Sequence, residues 1–374
     1  MTDSPTEPKI DKADADAFQK RMFGLVNDGG LALSVSIGHR TGLYDTMASL
    51  PPSTSTEIAE AAGLNERYVR EWLGAMVTGG IVDYHPPIGA YSLPAERAAS
   101  LTRAAGPGNL ASLTQFIALL GQVETKIVDC VQNGGGVPYS EYPEFHALMR
   151  EISGATFDAT LIPVTLPLVE GLPEQLEAGI DVADIGCGAG HAVCVMAEAY
   201  PKSTFVGFDF SEEAIAMARD EAEEKGLSNA RFQVADASQL DGSYQADLVT
   251  VFDAVHDQAQ PAAMLDSVFR TLKPGGTFLC VDVAASSHVG ENIDHLLGPF
   301  MYTVSCMHCM SVSLAYEGVG LGAMWGVQKA RAMFADAGFV GLEVKKVEGD
   351  MINNYYITKR PALPRTTTGA TREQ

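Results

Sequence analysis

Asp184-Ile185-Gly186-Cys187-Gly188-Ala189-Gly190 is the stretch from which the rest of the chain is read. An apolar run, Val182-Ala183, ends on an acid. Glycines follow at every second position, and a segment rich in small residues begins at His191. This is the pattern of a strand that turns through glycines into a helix. Glycine has no Cβ and accepts positive φ, so the backbone can turn sharply and approach a ligand closely. Ligands of open parallel sheets bind beyond the carboxyl ends of the strands, where this turn would lie. A glycine-rich turn also suits a dinucleotide. A carboxylate beside the turn, however, favours a positively charged ligand group over a pyrophosphate.

Short apolar runs and amphipathic helical patterns alternate from there onward. STFVGFD is followed by a helix over 212–226, then come ARFQVAD and ADLVTVFD, a helix over 261–272, and GTFLCVDV. Alternation of this kind predicts an α/β fold, a doubly wound and mostly parallel sheet with helices on both faces. Asp209 ends the second strand 25 residues after Asp184, the placement expected of an acid that holds ribose hydroxyls. Asp236 ends the third strand, and Leu272-Lys273-Pro274-Gly275-Gly276 precedes the fifth. A helix over Gln328–Ala337, a stop at Gly338 and strands at Leu342–Val347 and Asn354–Thr358 predict a closing antiparallel hairpin.

DIGCGAG, GFD, VAD and LKPGG, in this order and spacing, resemble a class I S-adenosylmethionine-dependent methyltransferase over roughly residues 178–360. The resemblance implies a seven-stranded sheet and S-adenosylmethionine as cofactor. It also implies roles for particular residues. Asp184, Gly186, Gly188 and Gly190 would surround the methionine part, and Asp209 would bind the ribose. Phe210 would pack on adenine or belong to the core. Asp236 and Ala237 would frame the adenine. Phe252 and Asp253 would line the floor near the sulfonium.

The N-terminal part reads differently. Thr56 is positioned to cap a helix through Ala62, Gly63 ends it, and Asn65 starts a second helix with Tyr68, Val69, Trp72 and Leu73 on one face. Two short strands follow, Ile81–Tyr84 and Ala90–Leu93, around Pro86-Pro87. Helix, turn, helix, hairpin is the order of a winged helix, which resembles the N-terminal module of many small-molecule methyltransferases and implies a role in dimer formation. DNA binding needs a basic recognition helix and wing. Here Arg67 and Arg70 stand among Glu66 and Glu71, and the wing has no Lys or Arg. The organisation expected is a frayed tail over 1–17, a winged-helix and dimerisation module over 18–100, a helical linker and lid region over 101–175, the cofactor-binding domain over 176–360 and a disordered tail over 361–374.

Methyl transfer needs the nucleophile aligned and deprotonated. His256, just past the fourth strand in Phe252-Asp253-Ala254-Val255-His256-Asp257, is the candidate base, with Asp253 as the second candidate catalytic residue. The bland alternative is a helix-start histidine paired with Asp253 or Asp257. Gly134-Gly135-Gly136 breaks the helical pattern and leads to Tyr139 and Tyr142, as a lid or as a plain connection. A second cluster holds Cys306, His308, Cys309 and Tyr316. A structural zinc would need four ligands and there is no second Cys pair, so no metal is expected. Cys and Met are soft and polarisable, so the substrate reading leans to a small thiol or sulfide, in the manner of soluble bacterial thiol methyltransferases. A small hydroxyl compound with His256 as base is the alternative. A winged-helix transcription regulator that responds to S-adenosylmethionine is the rival of another class.

The chain has 374 residues, a formal charge of −22, 46% hydrophobic and 19% charged residues. Such an acidic balance opposes nucleic acid and anionic membranes. No apolar run of 18 residues or more and no signal-peptide pattern occurs, so a cytoplasmic protein without membrane contact is expected. The six cysteines read as reduced. The expected partners are a small-molecule substrate and a second copy of the chain.

Overall fold

The computed structural model describes residues 10–362, so the N-terminal nine residues and all but the first two residues of the tail expected over 361–374 lie outside the described residues. The chain divides into two units, up to residue 118 and from residue 119. The sequence had suggested a boundary after residue 100 and a separate helical region to 175.

In the first unit a helix runs over Lys12–Arg40. It starts within the stretch expected to be frayed, because the Asp11 carboxylate accepts from the Ala13 and Asp14 amides and caps the first turn. It passes through Gly29 and Gly30 without a break. Shorter helices follow at Leu43–Ser49, Ser55–Ala62 and Glu66–Thr78. The cap of the third is Thr54, not Thr56: its hydroxyl accepts from the Glu57 amide while the Glu57 carboxylate accepts from the Thr54 amide, a reciprocal capping box. Strands β1 (Asp83–His85) and β2 (Ala90–Ser92) pair antiparallel, completing helix, turn, helix and wing. Val69, Trp72, Leu73 and Met76 supply the buried face of the second helix, and Tyr68 lies exposed instead. The unit's core closes around Tyr44, whose hydroxyl donates to the Met76 sulfur, and Trp72, whose indole N–H donates to the Ser34 carbonyl.

In the second unit, β3 (Asp181–Ile185), β4 (Thr204–Asp209), β5 (Ala230–Val234), β6 (Ala246–Phe252), β7 (Leu272–Val283), β8 (Val340–Lys345) and β9 (Asn353–Lys359) form one sheet in the order β5-β4-β3-β6-β7-β9-β8. The first five run parallel, and β9 is antiparallel to both β7 and β8. Strands covered on both faces must be apolar on both. Ala183 and Ile185 accordingly enter one core with Leu265, Val268 and Phe334, while Val182 enters the other with Val193, Phe205 and Ile215. Leu161, Leu166, Leu172 and Leu176 belong to this second core, so the helices after residue 145 are part of the same unit. The helix Phe145–Thr156 passes into a wider π-helical stretch, Phe157–Thr165, around Pro163. Proline has no N–H to continue the ladder, which accounts for the local change of pitch. Among the described residues no single helix is long and apolar enough to cross a membrane.

One motif contributes at the far end of the sheet. The Lys273 ammonium of LKPGG donates to both Asp181 and Asp247, each at 2.8 Å, and ties together the starts of the neighbouring strands β3 and β6. It lies opposite the carboxyl ends where the glycine turn emerges.

Candidate active site

The glycine turn leaves β3 after Ile185 with Gly186, Gly188 and Gly190 all at positive φ (76°, 52° and 74°). A Cβ on Gly186 would lie 2.5 Å from the Ala254 Cβ, and one on Gly190 would lie 2.5 Å from both Ala218 and Phe232. Both positions therefore exclude a side chain on packing as well as on φ. At Gly188 a Cβ would meet nothing within 4 Å, because that glycine faces the open cleft. The Gly186 and Cys187 amides donate to the Phe208 carbonyl and hold the turn against β4.

Two carboxylates stand at the turn. Asp184 is only 2% exposed, and its Oδ1 accepts from the Thr250 hydroxyl at 2.6 Å. Burial pushes its pKa up to about 7, against the lowering effect of Thr250. No cation pairs with it among the described residues. Asp209 accepts from the Gly188 amide on Oδ2 and from the Ser211 amide on Oδ1, each at 2.9 Å. A carboxylate oxygen has room for a second hydrogen bond, so both oxygens remain usable by a diol. The same cleft is lined by Phe210, Phe252, Asp253, Asp257, Tyr139 and Phe145. A buried carboxylate without a counter-charge, an acid able to take two hydroxyls and a turn open at Gly188 fit a ligand that is cationic at one end and carries a ribose at the other.

Beyond the carboxyl ends of β6 and β7 lies an imidazole held by an acid. His256 Nδ1 meets Asp282 Oδ1 at 2.8 Å, in a buried pair (His256 6% exposed). The same oxygen accepts from the Val283 amide at 2.8 Å and the Trp325 indole at 3.1 Å, while Oδ2 has no partner among the described residues. Burial acts against a charge on His256. The Asp282 carboxylate and Cys309, its other side-chain partner, outweigh burial and raise its pKa well above the usual value. Asp253 stands next to the pair at φ 51°, in the left-handed region that aspartate enters more readily than most other non-glycine residues. Burial and the nearby Asp282 charge push the Asp253 carboxyl up. Donor atoms of Asp253, His256 and Asp282 lie within 4.8 Å of one another, the group among the described residues that could hold a cation.

Residues 176–338 match the family model described as a methyltransferase domain, and residues 29–103 match an Rv2258c-like winged HTH domain. The first is a class I methyltransferase domain. A demethylmenaquinone methyltransferase of Lactococcus lactis is 25% identical over 194 residues, 48% of this chain and 74% of that protein. The match to a Listeria welshimeri protein of the same name is 30% identical over 114 residues, 29% of this chain, and spans about half of that protein's length (48%). Among solved structures, a putative O-methyltransferase of Nostoc punctiforme superposes with a TM-score of 0.70 at 18% identity, covering 91% of this chain and 98% of that one. Human N-acetylserotonin methyltransferase in complex with SAM gives 0.66 at 17%, covering 96% and 100%. At these identities the structural likeness speaks for the fold.

The methyltransferase domain brings some of the residues singled out from sequence together and separates others. Asp184, the three glycines, Asp209, Phe210, Phe252, Asp253 and Tyr139 all line the cleft. Asp236 does not: its carboxylate accepts from the Ser238 amide and hydroxyl and the Gln239 amide group, closing its own turn, with Ala237 packed into the core beneath. His256 lies buried behind the wall formed by Asp253, Ala254 and Asp257. Its acid partner is Asp282 rather than Asp253 or Asp257, because parallel register sets Phe252 beside Val281 and so carries the residue after β6 to the level of Asp282. Cys309 is buried beside His256, whereas Cys306 is exposed and lines a separate groove with Ile127 and Tyr302. Two residues three apart in this π-helical stretch thus point to different faces. Tyr142 is buried and donates to the Met307 carbonyl, and Tyr316, half exposed, reaches only the edge of Phe210.

Sequence reading missed Asp282 and Thr250, and took Asp257 only as a possible partner of His256. The acid at the end of GTFLCVDV was the available signal for Asp282, since a carboxyl-end acid of a central parallel strand faces the site. Asp257 accepts from the Tyr139 hydroxyl at 2.6 Å. The last glycine of the run before Tyr139 is seated, since a Cβ on Gly136 would lie 1.9 Å from the Ser311 carbonyl oxygen and the Val137 amide donates to the Ser311 hydroxyl, whereas Gly134 and Gly135 are exposed with open space around them.

Proposed function

We propose that this protein transfers the methyl group of S-adenosylmethionine to a hydroxyl of a small organic molecule, with His256 as general base. The observation that carries this reading is the His256–Asp282 pair. A thiol with a pKa near 8.5 ionises with little help. A hydroxyl needs its proton taken as the new bond forms, and an imidazole oriented by a buried acid does that work. When bound, S-adenosylmethionine supplies an electrophilic methyl on a positively charged sulfur. The buried Asp184 carboxylate faces that positive charge, and Asp209 holds the ribose hydroxyls. An acceptor hydroxyl that replaces Cys309 beside His256 would give its proton to the ring nitrogen away from Asp282, and Asp282 would stabilise the imidazolium that results. Tyr139, through Asp257, closes the cleft against water. The names of the solved neighbours, several of them O-methyltransferases, support oxygen over the sulfur acceptor favoured from the Cys/Met cluster.

The DNA-binding alternative is weakened by local neutralisation. Arg67 pairs with Glu71 and Arg70 with Glu66 on the helix that would enter a groove. The homodimer reading draws support from the first helix, which leaves Phe18, Phe23, Leu25, Val26 and Ile37 exposed. So many large apolar side chains exposed on one helix favour a role for it in an interaction surface.

The test is release of S-adenosylhomocysteine with phenols, carboxylic acids, thiols and sulfide offered separately to the wild type and to His256→Ala. Turnover of phenols that falls about 10²–10⁴-fold in the variant is the expected result for a lost general base. Turnover of thiols alone, with the variant as active as the wild type, would overturn the hydroxyl reading.

A further inference from the structure

The reaction just proposed leaves His191, the residue after the glycine turn, without a task. Its ring lines the cleft and is held from both sides. Nδ1 meets Glu221 Oε1 at 2.6 Å, and Nε2 meets Asp158 Oδ1 at 2.9 Å. Glu221 belongs to the helix Glu212–Glu224, and its side chain is only 4% exposed. Its other oxygen accepts from the Arg150 guanidinium at 2.8 Å. Arg150 lies on the helix Phe145–Thr156, and Asp158 lies on the π-helical stretch that continues it. One imidazole and one buried carboxylate thus tie this segment to the helix that follows the glycine turn and to its neighbour.

The same segment forms one wall of the cofactor cleft. Phe145, Met149, Ser153 and Phe157 follow one another at intervals of four, so they share a helix face, and all four line the cleft together with the glycine turn. The segment passes close to the turn at Gly154, where a Cβ would lie 3.5 Å from His191 Cδ2. Beyond residue 160 it is anchored by apolar burial. Leu161 and Leu166 are fully buried in the core with Val193 and Ile215. Pro163 stands between them, and a π-helical stretch with a proline is a weak point in a helix. Over 145–158 the segment adds polar ties: Arg150, Asp158 and also His146, whose Nε2 meets the Ser211 hydroxyl at 3.2 Å.

We propose that the segment over 145–158 is a cover that opens for the cofactor to enter and leave, and that His191 is its latch. A cofactor on the glycine turn lies against the face that carries Met149, Ser153 and Phe157. Opening breaks the His191–Asp158 and Arg150–Glu221 contacts and leaves the buried leucines in place. The Asp158 side chain is 64% exposed and that of Arg150 is 39% exposed. Ion pairs with an exposed partner are worth little each, which suits contacts broken in every turnover. His191 is a positioning residue here, since it acts by holding the cover. The latch rests on the reading that S-adenosylmethionine is the methyl donor and S-adenosylhomocysteine the product that must leave. It does not depend on which atom accepts the methyl group.

The test measures association and dissociation of S-adenosylhomocysteine by surface plasmon resonance, with no acceptor present. Asp158→Ala cuts the exposed half of the latch and should raise the dissociation rate about two- to fivefold, the worth of a partly exposed pair. His191→Phe keeps a flat ring over Gly154, removes both polar contacts and should raise it about tenfold. In both variants association should also speed up, because a looser cover opens more often, so Kd should change less than the dissociation rate does. Loss of an ordinary ligand contact raises dissociation alone. The double variant should release S-adenosylhomocysteine no faster than H191F, since Asp158 acts through His191. Amide exchange over 145–158 should slow when S-adenosylhomocysteine binds wild type, and slow less in H191F. Unchanged rates in both variants, or faster dissociation without faster association, would overturn the latch. The melting temperature of each variant without ligand reports folding, and if H191F does not fold, D158A decides together with amide exchange in wild type. A wild type that does not bind S-adenosylhomocysteine would sink the cofactor reading and the latch with it. Binding with rates that the variants leave unchanged would sink the latch alone.

Discussion

Replacing Asp282 with Asn tests the His256–Asp282 pair most directly. An amide oxygen in the position of Oδ1 can still accept from His256 Nδ1, the Val283 amide and the Trp325 indole, so the geometry can survive. What is lost is the charge. Unit charges about 4 Å apart attract by about 4 kcal/mol at an effective dielectric near 20, before desolvation is subtracted. Opposite charges at such range move a pKa by about 1–3 units, and each unit is worth about 1.4 kcal/mol. The His256 pKa should therefore fall by about 1–3 units in D282N. The imidazolium formed during proton transfer loses the same stabilisation, so kcat/KM for a phenolic acceptor should drop about 10- to 1000-fold. The assay is a pH–rate profile. His256 must be unprotonated to act, so activity rises with pH through its pKa, and that limb should lie at lower pH in the variant than in the wild type. Stability carries a second signature. The raised folded pKa of His256 contributes stability that is fully present below its unfolded value of about 6.5 and is lost as pH rises through the folded value. The stability gap between wild type and D282N should be widest in acid and should narrow as pH rises. Limbs at the same pH, with rates within about threefold of each other, would refute the role assigned to Asp282.

Two further expectations concern the glycine turn and the first helix. Gly190→Ala would force a Cβ to within 2.5 Å of Ala218 and Phe232 at φ 74°, so a loss of about 1–3 kcal/mol of stability is expected in chemical denaturation, with weakened S-adenosylmethionine binding by calorimetry. Unchanged values for both would show that the turn is not as tight as the packing implies. Glu in place of Phe23 and Val26, both exposed on the first helix, should convert a dimer to a monomer in light scattering. A wild type that is already monomeric at micromolar concentration would dispose of the dimer reading.

Much of the cofactor side was legible in the sequence because its determinants are local. Asp184, the three glycines and Asp209 sit at strand ends, and a parallel strand followed by a glycine turn leaves few places for the chain to go. The helix caps were legible in kind, since Ser, Thr and Asp capping acts over three residues. Local competition still shifted the cap from Thr56 to Thr54, where Glu57 completes the reciprocal pair. Asp236 illustrates the opposite case. Its carboxylate closes its own turn through Ser238 and Gln239, a local use that a strand-end position does not reveal.

The acceptor side was decided by tertiary structure. The sequence by itself determined the parallel sheet, the closing hairpin, the winged helix and a histidine just past the fourth strand of the parallel set, because each follows from the period of apolar residues and from glycine and capping chemistry. It could not determine that His256 answers to Asp282, 26 residues away, since this depends on the register between β6 and β7. Nor could it determine that Tyr139, Phe145 and His308, up to 169 residues apart, share one aromatic enclosure, or that Cys306 and Cys309 face opposite ways. Those pairings need strand register and the pitch of a π-helical stretch, which are settled by packing among segments that no sequence window spans.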